Sequence, residues 1–140
     1  MNTPSVEILV GEDNPADARL ISLFLENWEV PTKLTCFPSG RKFQAYLESR
    51  EGNTLPLIIF LDFFLTEVEG PKILKWIRDK GLVPDAPVIL MSGSYLEEVM
   101  ERAYTFGGNY FLEKSIDPDR FFDEMRGILN FLIRSQSISV

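Results

Sequence analysis

Histidine is absent from the 140 residues, and its absence excludes more chemistry than any residue present. No imidazole can ligate zinc, no Ser-His or Cys-His pair can activate a nucleophile, and no phosphohistidine can form within the chain. Any phosphohistidine it meets is carried by another protein. Cysteine occurs once, at Cys36, so an intramolecular disulfide is impossible. Within the apolar stretch Leu34-Thr35-Cys36-Phe37, that thiol reads as a small core residue. Basic residues are outnumbered, 14 Lys and Arg against 21 Asp and Glu, for a formal charge of −7. The balance argues against nucleic acid or membrane as a partner and for proteins or a divalent cation. Missing too is an apolar run long enough to span a bilayer or serve as a cleavable signal peptide, so the expected location is the cytoplasm.

What is present alternates. Apolar runs without polar interruption, each followed by a helical pattern, give the rhythm of a parallel sheet covered on both faces. Strands are expected at about 6–10, 32–37, 57–61, 87–91 and 109–113. Asn14-Pro15-Ala16-Asp17 opens the first helix: Asn14 caps, Pro15 suits the first turn and Asp17 complements the dipole. That helix is expected to reach about Trp28, and the next to cover about 41–50 until Glu51-Gly52-Asn53-Thr54 ends it. Pro71 starts a third helix that Gly81 stops. A fourth carries Leu96, Val99, Met100, Ala103 and Tyr104 on one face before Gly107-Gly108, and Asp117-Pro118 starts a last helix to about Arg134. Residues 1–140 thus read as one domain with its core at about 5–134 and a short polar tail at 135–140.

In open α/β sheets ligands bind beyond the carboxyl ends of the strands. Asp62 closes Leu57-Ile58-Ile59-Phe60-Leu61, Glu12-Asp13 follow the first strand, Ser92 the fourth and Lys114 the fifth. Three carboxylates, a hydroxyl and a cation are therefore expected at one rim. Crowded carboxylates repel unless a cation neutralises them, and hard oxygen donors of this kind suit Mg²⁺, which binds through a few carboxylates and a phosphoryl group. Asp62, the lone acid on the central strand, is the candidate nucleophile, and Glu12 and Asp13 are the candidate metal ligands. Lys114 offers charge to a phosphoryl oxygen. Ser92 can bond to one after it arrives, drawing its loop along while Phe111 refills the space. Each feature alone reads as a cap or turn residue; their shared edge carries the inference.

The sequence around these positions resembles the receiver domain of two-component response regulators. The likeness rests on Glu12-Asp13-Asn14-Pro15-Ala16-Asp17, on Leu61-Asp62 with Gly70 eight residues on, on Pro87-Val88-Ile89-Leu90-Met91-Ser92-Gly93, and on Gly107 followed by Tyr110-Phe111-Leu112-Glu113-Lys114. It implies a flavodoxin-like (βα)5 fold with a five-stranded parallel sheet of order 2-1-3-4-5. It also implies that Asp62 accepts phosphate from a sensor histidine kinase or a histidine phosphotransfer protein. Mg²⁺ would sit on Glu12, Asp13, Asp62 and the backbone carbonyl of Phe64, with Lys114 and Ser92 on the phosphoryl group and Ser92 and Phe111 as the switch. The opening motif looks most like single-domain regulators paired with bacterial phytochromes, acting on a downstream protein.

Departures from the pattern matter as well. Ser115 stands where receivers carry a proline after a cis bond, which implies a remodelled Lys114 loop. Thr66 replaces another proline, and Phe64 places an apolar ring two residues past Asp62, where it would exclude attacking water. These departures support one rival, a receiver-like interaction module that no longer switches. A second rival, an aspartate-based phosphatase, lacks its acid because position 64 is Phe. The last helix carries Phe121, Phe122, Met125, Ile128, Leu129, Phe131, Leu132 and Ile133. Either its core-facing stripe is wide or its surplus apolar face joins two copies of the chain.

Overall fold

A computed structural model of the chain describes residues 3–50, 55–93, 97–105 and 110–135. Along it run β1 (Val6–Gly11), α1 (Pro15–Glu26), β2 (Thr32–Phe37), α2 (Gly40–Ser49), β3 (Leu57–Asp62), α3 (Gly70–Lys80), β4 (Val88–Ser92), α4 (Glu97–Thr105), β5 (Tyr110–Glu113) and α5 (Pro118–Ser135). All strand pairs are parallel and the order is β2-β1-β3-β4-β5, the doubly wound arrangement the alternation implied. The stop at 51–54, the stripe positions Leu96, Val99, Met100 and Ala103, the Gly107-Gly108 exit and the tail beyond Ser135 lie outside the described residues or their described side chains.

The three central strands are buried at every position, which is why their sequences show no polar alternation. Ile8, Val10, Ile58, Phe60, Ile89 and Met91 pack beneath α1 and α5 with Ile21, Phe24, Phe121, Met125 and Leu129. On the opposite face Leu9, Ile59, Leu61, Val88 and Leu90 meet Phe43, Leu47, Ile73, Leu74 and Ile77 from α2 and α3. Asn14 caps α1 as its sequence suggests, its Oδ1 accepting from the Ala16 and Asp17 N–H groups. Gly81, at φ 64°, ends α3 in the left-handed conformation that glycine adopts without steric cost.

Three expectations need correction. Tyr104, placed by spacing on the core-facing stripe of α4, is half exposed. α1 stops at Glu26, short of Trp28, because Asn27 turns back and donates its side-chain amide to the Leu23 carbonyl at 2.9 Å. Trp28 instead packs into the core and donates its indole N–H to Asn130 Oδ1 of α5 at 3.1 Å. Cys36 is exposed. It belongs to β2, an edge strand with no fully buried position, so an apolar neighbourhood in sequence does not become burial in space.

α5 resolves mostly toward the core. Phe121, Met125, Leu129 and Leu132 are buried, and Phe122, Ile128 and Ile133 pack partly buried against them. Phe131 is half exposed, with its ring against Tyr110 at 6.1 Å.

Glu7 in β1 is completely buried, a position the apolar reading of that strand passed over. Its carboxylate accepts from Tyr46 Oη at 2.7 Å and Arg50 Nε at 2.8 Å, tying β1 to α2 and the residue after it. A buried carboxylate deprived of its cation is strongly destabilising. Arg50→Met is expected to lower stability by about 3 kcal/mol, seen as a lower urea midpoint with an unchanged slope; an unmoved midpoint would show that Tyr46 alone suffices.

Candidate phosphoryl-transfer site

Parallel register sets the site. Gly11 pairs with Leu61, Asp62 with Met91 and Ser92 with Glu113, so the residues at the carboxyl ends of β1, β3, β4 and β5 stand level. Glu12 prolongs β1 by donating its N–H to the Phe37 carbonyl at 3.0 Å. Its Oε2 accepts from the Asn14 N–H at 3.1 Å, so the α1 cap and the acid doublet form one turn. Asp62 closes β3, 7% exposed, and its Oδ1 accepts from the Phe64 N–H at 3.2 Å. Ser92 closes β4 and is buried. The Lys114 N–H donates to the Ser92 carbonyl at 2.8 Å, which continues the β4–β5 ladder to the residue carrying the cation.

Lys114 is the electrostatic centre. Its Nζ lies 2.5 Å from Glu12 Oε1, 3.1 Å from Asp17 Oδ2 and 3.2 Å from Asp62 Oδ2. Carboxylate oxygens of Glu12, Asp13 and Asp62 also lie within 4.8 Å of one another. The five expected residues at the rim are thus adjacent, and Asp17 joins them. Sequence reasoning assigned Asp17 only to the helix dipole; the signal available was its place in the first turn of α1, one residue beyond Ala16 in the motif that already held Glu12 and Asp13.

Three acids share one ammonium, and the cost appears at Glu12. Burial pushes the Glu12 carboxyl up from its ordinary 4.5 to about 7; the Asp62 charge adds to the effect, while Lys114 and the Asn14 N–H oppose it. Burial would lower Lys114, but its bond to Glu12 and the charges of Asp62 and Glu12 outweigh that and hold it above its ordinary value. Oε1 of Glu12 is buried, with the Lys114 ammonium as its close partner. Three carboxylates with oxygens at this spacing are hard donors that fit a divalent cation.

The departures have local explanations. The peptide between Lys114 and Ser115 is trans, as are all described peptide bonds, and Ser115 Oγ accepts from the Asp117 N–H at 3.1 Å. Lys114 nonetheless reaches the acids, so the Lys114 loop is not displaced from the site. Thr66 donates its hydroxyl to the Pro38 carbonyl at 3.1 Å, a bond proline could not make. The Phe64 ring is 59% exposed and rests edge-on against Phe63 at 4.8 Å. Phe111 is half-buried against the cluster of α2 and α3, opposite Leu90, on the face that Leu90 shares with Ser92.

Because the folded state raises the Glu12 pKa above its unfolded value, the folded chain holds a proton between pH 4.5 and about 7 that the unfolded chain has released. Stability without metal therefore falls as pH rises through that window. A cation must displace the same proton, so divalent binding strengthens over the same range. Mn²⁺ titration is expected to give affinity about tenfold weaker at pH 6 than at pH 8, with proton uptake by buffer at pH 6. Equal affinity at both would place the metal away from Glu12.

Residues 8–126 match the family model of the response regulator receiver domain. Response regulator Rcp1 of Synechocystis sp. (strain ATCC 27184 / PCC 6803 / Kazusa) is 27% identical over 140 residues, spanning 98% of this chain and 95% of Rcp1. The probable methanogenesis regulatory protein FilR2 of Methanothrix harundinacea (strain 6Ac) is 30% identical over 124 residues, 85% of this chain and 80% of FilR2. Among solved structures, the phosphorylated cyanobacterial phytochrome response regulator RcpA superposes with a TM-score of 0.83 at 28% identity, over 93% of this chain and 95% of RcpA. The Mn²⁺-bound form of Rcp1 superposes with a TM-score of 0.81 at 25% identity, over 96% of this chain and 99% of Rcp1. Strand order, rim chemistry and these likenesses agree, and the chain belongs to the response regulator receiver domain family, whose members are phosphoacceptor switches rather than conventional enzymes.

Proposed function

We propose that this chain acts as a cytoplasmic receiver, taking a phosphoryl group onto Asp62 from a phosphohistidine of a sensor kinase or phosphotransfer protein. The observation that carries the reading is Lys114 Nζ, within 3.2 Å of both Asp62 and Glu12 at a rim of three mutually close carboxylates. Glu12, Asp13, Asp62 and the Phe64 carbonyl would hold Mg²⁺. When bound, the cation neutralises the acids and withdraws charge from phosphoryl oxygens. An Asp62 carboxylate oxygen forms the new bond to phosphorus as the histidine N–P bond breaks, and its electron pair returns to the donor imidazole. Lys114 is placed to meet the charge on the transferred group, and Ser92, at the end of the neighbouring strand, to hydrogen-bond to it. Movement of the Ser92 loop, with Phe111 repacking behind it, is the proposed switch.

No histidine occurs among these 140 residues, so a phosphohistidine donor would lie outside them. Phe64, whose N–H bonds to Asp62, and Ile116 are exposed apolar side chains on the loops after β3 and β5, and suit a protein surface better than a small metabolite. Similarity to RcpA and Rcp1 favours a phytochrome-type kinase. A homodimer through the C-terminal helix region is supported by the Tyr110 and Phe131 rings, which meet at the surface.

Asp62→Asn should abolish phosphate uptake from acetyl phosphate and Mg²⁺, read as intact mass, without unfolding the chain, because Lys114 keeps Glu12 and Asp17 as partners. Unchanged single-site labelling of that variant would remove Asp62 from the chemistry. A wild-type chain that takes up no phosphate would favour the non-switching interaction module. If the Tyr110 and Phe131 surface joins two copies, beryllofluoride should raise the sedimenting mass toward that of a dimer and Phe131→Asp should prevent it. Equal mass with and without the mimic would leave α5 as core alone.

A further inference from the structure

The loop between Asp62 and α3 closes at a narrow neck. The Gly70 N–H donates to the Phe63 carbonyl at 3.0 Å, and Gly70 lies so near Asp62 that a Cβ there would stand 2.5 Å from the Asp62 carbonyl oxygen. Within the neck sit Phe64, whose N–H holds Asp62 Oδ1, and Leu65 to Glu69. One flank of the loop is fastened to the corner before α2: Thr66 Oγ1 donates to the Pro38 carbonyl, the Gly40 N–H donates to the Thr66 carbonyl, and Arg41 pairs with Glu67 at 3.4 Å.

Arg102 of α4 holds the other flank. Its guanidinium carbon lies 5.2 Å from the centre of the Phe63 ring, and Nη2 is 2.5 Å from Glu69 Oε1. It thus grips both sides of the neck at once, a ring on the way in and a carboxylate on the way out. Glu69 stands at the N-cap of α3 yet makes no capping bond with its side chain; its carboxylate is committed to Arg102 instead. Planarity suits arginine to this double contact, since one face can stack while the edge donates. α4 is also the element that follows the Ser92 loop, so the contact joins the loop that reacts to the helix that would respond.

Resting on the phosphoacceptor reading above, we propose that Arg102 is a positioning residue for phosphoryl transfer, clasping Phe63 and Glu69 so that the Asp62 loop and α4 move as one. Its effect belongs to the reaction rate, because the side chain is half exposed and contributes little to the core. The test uses the full chain at saturating phosphoramidate and Mg²⁺, with labelling rates compared at a temperature where every variant is folded. Arg102→Met, which keeps the stem and loses the charge, and Glu69→Gln should each slow labelling about fivefold. The double variant should be no slower than Arg102→Met alone, since both remove one clasp. Arg102→Lys, which keeps the charge for Glu69 but not the planar face for Phe63, should recover the rate only in part. Wild-type rates in Arg102→Met, or losses that multiply in the double variant, would overturn the positioning role while leaving Asp62 as acceptor. A wild-type chain with no label on Asp62 would remove the acceptor reading itself, and this role with it.

Discussion

One ammonium shared among several acids holds the working end of this molecule together. Lys114 comes from the end of β5, Glu12 from the end of β1, Asp17 from the first turn of α1 and Asp62 from the end of β3. These segments are far apart in sequence, and the parallel sheet brings them to one edge. Without that cation the carboxylates would repel in a partly buried space where water screens poorly. Even with it, burial, aided by the Asp62 charge, holds the Glu12 carboxyl above its ordinary value. A cluster of carboxylates at this spacing is a donor set of the kind that suits a divalent ion.

Rigid support for this edge comes from two directions. Beneath it, the apolar strands are buried on both faces and leave the site residues no freedom to slide in register. Around it, the loop after Asp62 is fastened through Thr66 and Gly40 on one side and Arg102 on the other. The two kinds of support differ in strength. Buried apolar contacts are stiff and hard to trade, whereas a half-exposed ion pair adds little to stability and serves mainly to join the two elements it links. At the opposite end of β1, Glu7 is held by Tyr46 and Arg50, so that strand carries buried charge at both ends and apolar side chains between.

Departures from the family pattern are absorbed locally. Ser115 supplies a turn-forming acceptor to Asp117, and Thr66 a hydroxyl to the neighbouring corner. With both in place, Lys114 still lies 3.2 Å from Asp62. Phe64 touches Asp62 through its backbone while its ring faces outward against Phe63. Its character therefore bears on what approaches the site as much as on what happens within it.

The chain by itself determined the element order, the parallel sheet and the rim residues, because each rests on a local pattern: an uninterrupted apolar run, a capping residue, a turn, and a polar side chain where a run ends. Glu12, Asp13, Asp62, Ser92 and Lys114 were legible for that reason. Asp17 was half legible, placed by the cap but not by its partner. Cys36 and Glu7 were not, since both depend on what lies beside a strand rather than along it: β2 is an edge, so Cys36 is exposed, and α2 supplies partners that make a buried carboxylate tolerable at Glu7. Only the tertiary structure decided that Lys114 stands among three acids, that Arg102 reaches Phe63 and Glu69, and how much of α5 faces inward. Those are distances between segments remote in sequence, and such distances follow from packing, which no local pattern contains.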